Sequence, residues 1–60
     1  METIAEILIR RDGMSREDAN SLVKAAKEEL YDRIENDEDA YDICEEFFSL
    51  EPDYLDELMG

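Results

Sequence analysis

The chain has 60 residues, 19 of them acidic and six basic, with no histidine and a formal net charge of −13 at pH 7. That length holds one small domain, and the charge has the wrong sign for direct binding to nucleic acid or anionic membrane surfaces, which is driven by cations. A hydrophobic content of 43%, with apolar residues at regular intervals, is enough for a core and argues against disorder.

The charge is unevenly divided. All six basic residues (Arg10, Arg11, Arg16, Lys24, Lys27 and Arg33) precede residue 34, where eight acids accompany them and leave −2. Residues 34–60 hold the other eleven acids and no base, a local charge of −11. A single cysteine, Cys44, cannot form an internal disulfide. No apolar run has the length of a bilayer span or the layout of a signal peptide, and Met1 leads directly into helical pattern, so the cytoplasm is the expected compartment.

Four helices are predicted, over about residues 4–12, 16–35, 40–49 and 52–59, as an all-α bundle of three to four short helices. Thr3 and Glu6 have capping-box spacing, Ile4, Ile7 and Leu8 follow at helical intervals, and Gly13 supplies a stop. Ser15 is the next N-cap, with Asp18 three residues on. Ala19, Leu22, Val23, Ala26, Leu30 and Ile34 then trace one face, while Lys24–Glu28 and Glu29–Arg33 pair at i, i+4 on the wet side.

In the run NDEDA, Asp37 or Asp39 is the expected cap of the third helix, whose apolar face is Ala40, Ile43, Cys44 and Phe47, opposite Asp42, Glu45 and Glu46. Glu51 caps the fourth helix, Pro52 takes its first position, Leu50 and Leu55 are spaced as a hydrophobic staple, and Leu55, Leu58 and Met59 face the core. Helix, tight turn and helix in the run ICEEFFSLEPDYLDEL give the last two helices a helix-turn-helix-like layout. Its second helix offers Asp53, Asp56 and Glu57 where a DNA reader carries basic and amide side chains, so the DNA-reading chemistry is missing.

Other chemistry fails on ligands. A calcium loop starting at Asp37 would need glycine at its sixth position and glutamate at its twelfth, where Asp42 and Phe48 stand. Zinc, haem and nucleophilic catalysis lack the necessary histidines, and Cys44 falls on an apolar face as a small core residue. The chain therefore reads as non-enzymatic and without cofactors. Tyr31, Tyr41, Phe47, Phe48 and Tyr54 are assigned to core and rim. Since Phe47 and Phe48 are adjacent on one helix, Phe48, with Tyr41 on the same flank, is expected at an exposed edge suited to self-association.

The runs RRDGMSREDA and AYDICEEFFSLEPDYLDELM resemble a group of very small, acidic, uncharacterised proteins encoded by bacteriophages and mobile elements, chiefly of Gram-positive bacteria. The resemblance spans most of the chain and implies a setting, with no ligand or catalytic residues to carry over. Small acidic phage proteins that are not enzymes often bind a host protein. Several, including anti-CRISPR proteins and uracil-glycosylase inhibitors, present carboxylates where the target expects phosphates.

The resulting expectation is an acidic protein-binding module, a phage-type inhibitor or nucleic-acid mimic that engages a basic, nucleic-acid-binding protein. Its contact residues would be Asp37, Glu38, Asp39, Asp42, Glu45, Glu46, Asp53, Asp56 and Glu57. If residues 34–60 were helical throughout, their acids would recur about every 3.7 Å along the axis, close to the phosphate spacing of about 3.4 Å on one DNA strand. The alternative is a small homodimeric interaction protein whose acids only confer solubility.

Overall fold

The computed structural model describes residues 2–59, which form four helices. These are α1 (Ile4–Asp12), α2 (Arg16–Glu35), α3 (Ile43–Phe48) and α4 (Leu55–Met59), the last entered through a 3-10 turn at Pro52–Tyr54. There is no β-strand among the described residues, and none of their helices is long and apolar enough to cross a membrane.

α1 starts where its local signals place it. The Glu6 amide donates to Thr3 Oγ1 at 3.2 Å and the Thr3 amide donates to the Glu6 carboxylate at 2.9 Å, satisfying two amides that the helix itself cannot pair. The hydrogen bond from the Thr3 amide holds the Glu6 carboxyl below its ordinary range, with the Thr3 hydroxyl adding to the effect. A depressed folded-state pKa contributes stability that is complete above the unfolded-state value, about 4.3, and is lost as pH falls through the folded-state value. Urea midpoints measured between about pH 5 and pH 3 should therefore fall more steeply for the native chain than for Glu6→Gln, whose amide does not titrate. Equal slopes would show that the box does not act through charge.

At its other end α1 stops at Gly13, whose φ of 68° lies in the left-handed region, and the Met14 amide reaches back to the Leu8 carbonyl at 3.4 Å. Two residues later Ser15 Oγ accepts from the Asp18 amide at 3.1 Å and opens α2. Ala19, Ala26 and Leu30 are buried, with Leu22 and Val23 packed at the margin. Glu29 and Arg33 pair at 3.3 Å as expected, whereas Lys24 and Glu28 form no ion pair among the described residues. Ile34 departs from the expected core face and is half exposed, because it lies about 40° around the helix beyond the buried Leu30, on the side away from Arg33, which Glu46 of α3 engages.

α3 is shorter than its periodicity implied. Asp39 uses its carboxylate to accept from the Tyr41 amide at 2.9 Å, which closes a local turn and delays the helix to Ile43. Neither Asp37 nor Asp39 caps it. Asp37 sits at φ 58° in the exit from α2, and Asp42 is the N-cap without a side-chain bond. α3 ends at Ser49, φ 56°, where the Leu50 amide donates to the Cys44 carbonyl at 3.1 Å and the Ser49 amide to the Glu45 carbonyl at 3.0 Å. Pro52 opens the 3-10 turn, so the fourth α-helix starts only at Leu55 and not at 52, Glu51 makes no side-chain cap, and Met59 is 55% exposed where a core position was expected.

Every helix contributes to one core. Ile4 and Leu8 from α1, Ala19, Ala26 and Leu30 from α2, Ile43, Cys44 and Phe48 from α3, and Leu58 from α4 are all at or below 1% exposure. α2 runs through the middle and touches the other three helices. Its two buried alanines let those helices approach closely, while the large side chains come from the short helices. Burial pushes the Cys44 thiol above its ordinary pKa, and the negative charge of Glu57 pushes in the same direction, so Cys44 is a small core residue.

Two charged side chains close helix ends across the fold. The Ile4 amide, at the start of α1, donates to both carboxylate oxygens of Glu57 on α4, at 3.1 and 3.0 Å. The Arg11 guanidinium, held by Asp12 at 2.8 Å, donates to the Phe48 and Ser49 carbonyls at the end of α3.

Candidate functional site

The site is built from the segment that leaves α2 and carries the chain through α3 to α4. All nine carboxylates assigned to it, Asp37, Glu38, Asp39, Asp42, Glu45, Glu46, Asp53, Asp56 and Glu57, belong to exposed residues. Three of them have structural duties. Glu46 accepts from Arg33 at 2.8 Å, Asp39 closes the turn before α3, and Glu57 caps α1.

The other six, Asp37, Glu38, Asp42, Glu45, Asp53 and Asp56, have side chains that make no hydrogen bond or ion pair within the described residues. Among the described residues Arg33 is the one cation that reaches this segment through an ion pair, and its charge is shared between Glu46 and Glu29. Carboxylates left in this state raise a concentrated negative potential over the corner between α2 and α4. A further exposed acid, Glu51, belongs to the same segment although the contact set omitted it. Glu51 and Glu45 line an open depression together with Ser49, Leu50 and Pro52. The position of Glu51 just before the proline made it read as a cap, yet it makes no cap bond and its carboxylate is free to face outward.

The acids do not lie on a line. A rise of about 3.7 Å per acid presumed unbroken helix, whereas α3 and α4 have six and five residues, are separated by turns, and belong to a molecule whose longest extent is 34 Å. The result is a curved acidic surface, and its resemblance to nucleic acid is one of charge density alone.

Phe48 requires correction. It is 1% exposed and among the largest fully buried side chains, so it cannot serve as a self-association edge. The expectation assumed that adjacent phenylalanines cannot both face inward on one helix. Ile43, Cys44, Phe47 and Phe48 in fact span an arc of about 140°, and α3 is covered across that arc because it packs against α2 on one side and the Pro52–Tyr54 turn on the other. Phe47 is partly buried against the same core, with the two rings 6.2 Å apart and tilted by 52°. Tyr41 is exposed as expected, at 61%.

Comparison with protein-family models, with curated proteins and with solved structures finds no match in any of the three. The fold and the surface together define a small all-α bundle with one strongly acidic side.

Proposed function

We propose that the protein is a non-enzymatic, acidic protein-binding module that engages a basic, nucleic-acid-binding protein, in the manner of a phage-type inhibitor. One observation carries this reading. Seven exposed carboxylates from Asp37 to Asp56, Glu51 included, have no partner within the described residues, while the chain's cations lie elsewhere or are already shared. Like charges held together on a folded surface cost stability through self-repulsion, and a basic partner removes that cost on binding. The phage setting rests on the sequence resemblance, and the mode of action is competition for a phosphate-binding surface through charge density.

The test is affinity capture on the immobilised protein from bacterial lysate at about 50 mM and about 500 mM salt, with identification of what is retained. The expected result is a basic nucleic-acid-binding protein held at low salt, released at high salt and displaced by duplex DNA. A variant combining Glu38→Lys, Glu45→Lys and Glu51→Lys, substitutions that break no hydrogen bond described above, should retain at least about tenfold less of it with unchanged helicity. Equal retention by the variant, or retention of no basic protein, would mean that the acids serve only to keep the bundle soluble.

A further inference from the structure

α2 carries a second surface, on the flank away from the acidic corner. Arg33 and Glu29 mark the flank that reaches α3 through Glu46. Tyr31 lies about 160° around the helix from Arg33, on the other side of the buried Leu30. There Tyr31 and Ile34, 51% and 49% exposed, continue a row with Asn20, Lys24 and Lys27. The row steps by four, three, four and three residues, which is the spacing of a coiled-coil seam. Lys24 and Lys27 form no ion pair among the described residues.

We propose that this face is the contact between two copies of the chain, packed antiparallel along α2. The row is basic in its first half, at Lys24 and Lys27, and apolar then acidic in its second, at Tyr31, Ile34 and Glu35. A parallel pairing would place lysine against lysine. An antiparallel pairing with its twofold axis level with residue 29 places Lys24 beside Ile34 of the second copy and Lys27 beside Tyr31 of the second copy, each layer occurring twice.

In that arrangement the Lys24 stem covers the Ile34 side chain and its ammonium reaches Glu35 of the second copy, while the Lys27 ammonium lies over the Tyr31 ring. Local charge favours a second copy over a basic partner here. Residues 16–35 carry four bases and six acids, whereas residues 36–59 carry ten acids and no base, so a basic protein is drawn to the opposite side. Two layers per copy are a small interface, so the association is expected to be weak and concentration-dependent. The pairing leaves both acidic corners facing outward, which makes the dimer a bivalent ligand for the basic partner.

Sedimentation equilibrium of the intact chain from about 10 μM to about 1 mM, in about 0.15 M salt, tests the proposal. A monomer–dimer equilibrium is expected, with Tyr31→Glu sedimenting as a monomer throughout and melting at the native temperature, since the side chain is half exposed. Lys24→Glu and Glu35→Lys should each weaken dimerisation about tenfold or more, and the two together should restore it, a rescue that only an intermolecular Lys24–Glu35 pair explains. A chain that stays monomeric at about 1 mM, a dimer indifferent to Tyr31→Glu, or a charge swap without rescue would each overturn the proposal. It would also be overturned if the Tyr31→Glu monomer lost one-to-one binding to the basic protein in solution, where bivalency plays no part, which would assign the face to that partner. The Glu38→Lys, Glu45→Lys, Glu51→Lys variant should still dimerise, so the two readings fail separately.

Discussion

Phe48→Ala is expected to leave the chain largely unfolded at 25 °C. A folded domain of this length holds about 3–9 kcal/mol, and small domains without disulfides or metals sit at the low end. Removing a buried phenylalanine side chain costs about 3–5 kcal/mol, because the transfer energy of the ring is lost and the surrounding side chains collapse only partly into the space. Phe48 is 1% exposed and shares its cluster with residues of all four helices, so the cavity would open where α1, α2 and α4 converge on α3. Far-UV circular dichroism and urea titration measure the effect. Phe47→Ala serves as the control, since Phe47 is only partly buried and its truncation should keep the fold with a lowered midpoint. If Phe47→Ala proves the more damaging of the two, the packing of α3 described above is wrong.

Leu58→Ala has the next largest expected effect, a loss of about 2–5 kcal/mol. α4 has five residues, far too few to be helical alone, so its structure comes from docking. Leu58 is its one fully buried side chain and packs into the shared core. Undocking also removes the cap that Glu57 supplies to the Ile4 amide, so the loss should reach α1 through that hydrogen bond. Hydrogen exchange in the first turn of α1 would detect the coupling, with faster exchange expected in Leu58→Ala. Glu57→Gln tests the cap alone. It should cost up to about 1 kcal/mol, because it keeps an acceptor oxygen but gives up the charge that favours a helix N-terminus.

What could be read from the sequence was decided by local chemistry. The all-α class and the extents of α1 and α2 follow from Thr3–Glu6, Gly13 and Ser15, whose hydrogen bonds reach no further than three residues or depend on one left-handed position. The start of α3 was misplaced because an aspartate just upstream can cap a helix or close a turn, and Asp39 closes a turn. Periodicity put Ile34 and Met59 inside, but which side of a helix is covered depends on where its neighbours pack. The acidic surface was legible as composition. The separate duties of Glu46 and Glu57 were not, because their partners Arg33 and Ile4 lie 13 and 53 residues away. The same distance hid the role of Arg11, whose target carbonyls lie 37 and 38 residues along the chain.

The bond between Glu57 and the Ile4 amide also has a topological meaning. It brings two points 53 residues apart in sequence to within about one hydrogen-bond length, so the described ends of the chain are neighbours on the surface. A circular permutant of the described residues is therefore expected to fold, with a cooperative urea transition as the check. Joining residue 59 to residue 2 through a few glycines and serines, and opening the chain at Glu38, would leave each of the four helices unbroken and every member of the core in place.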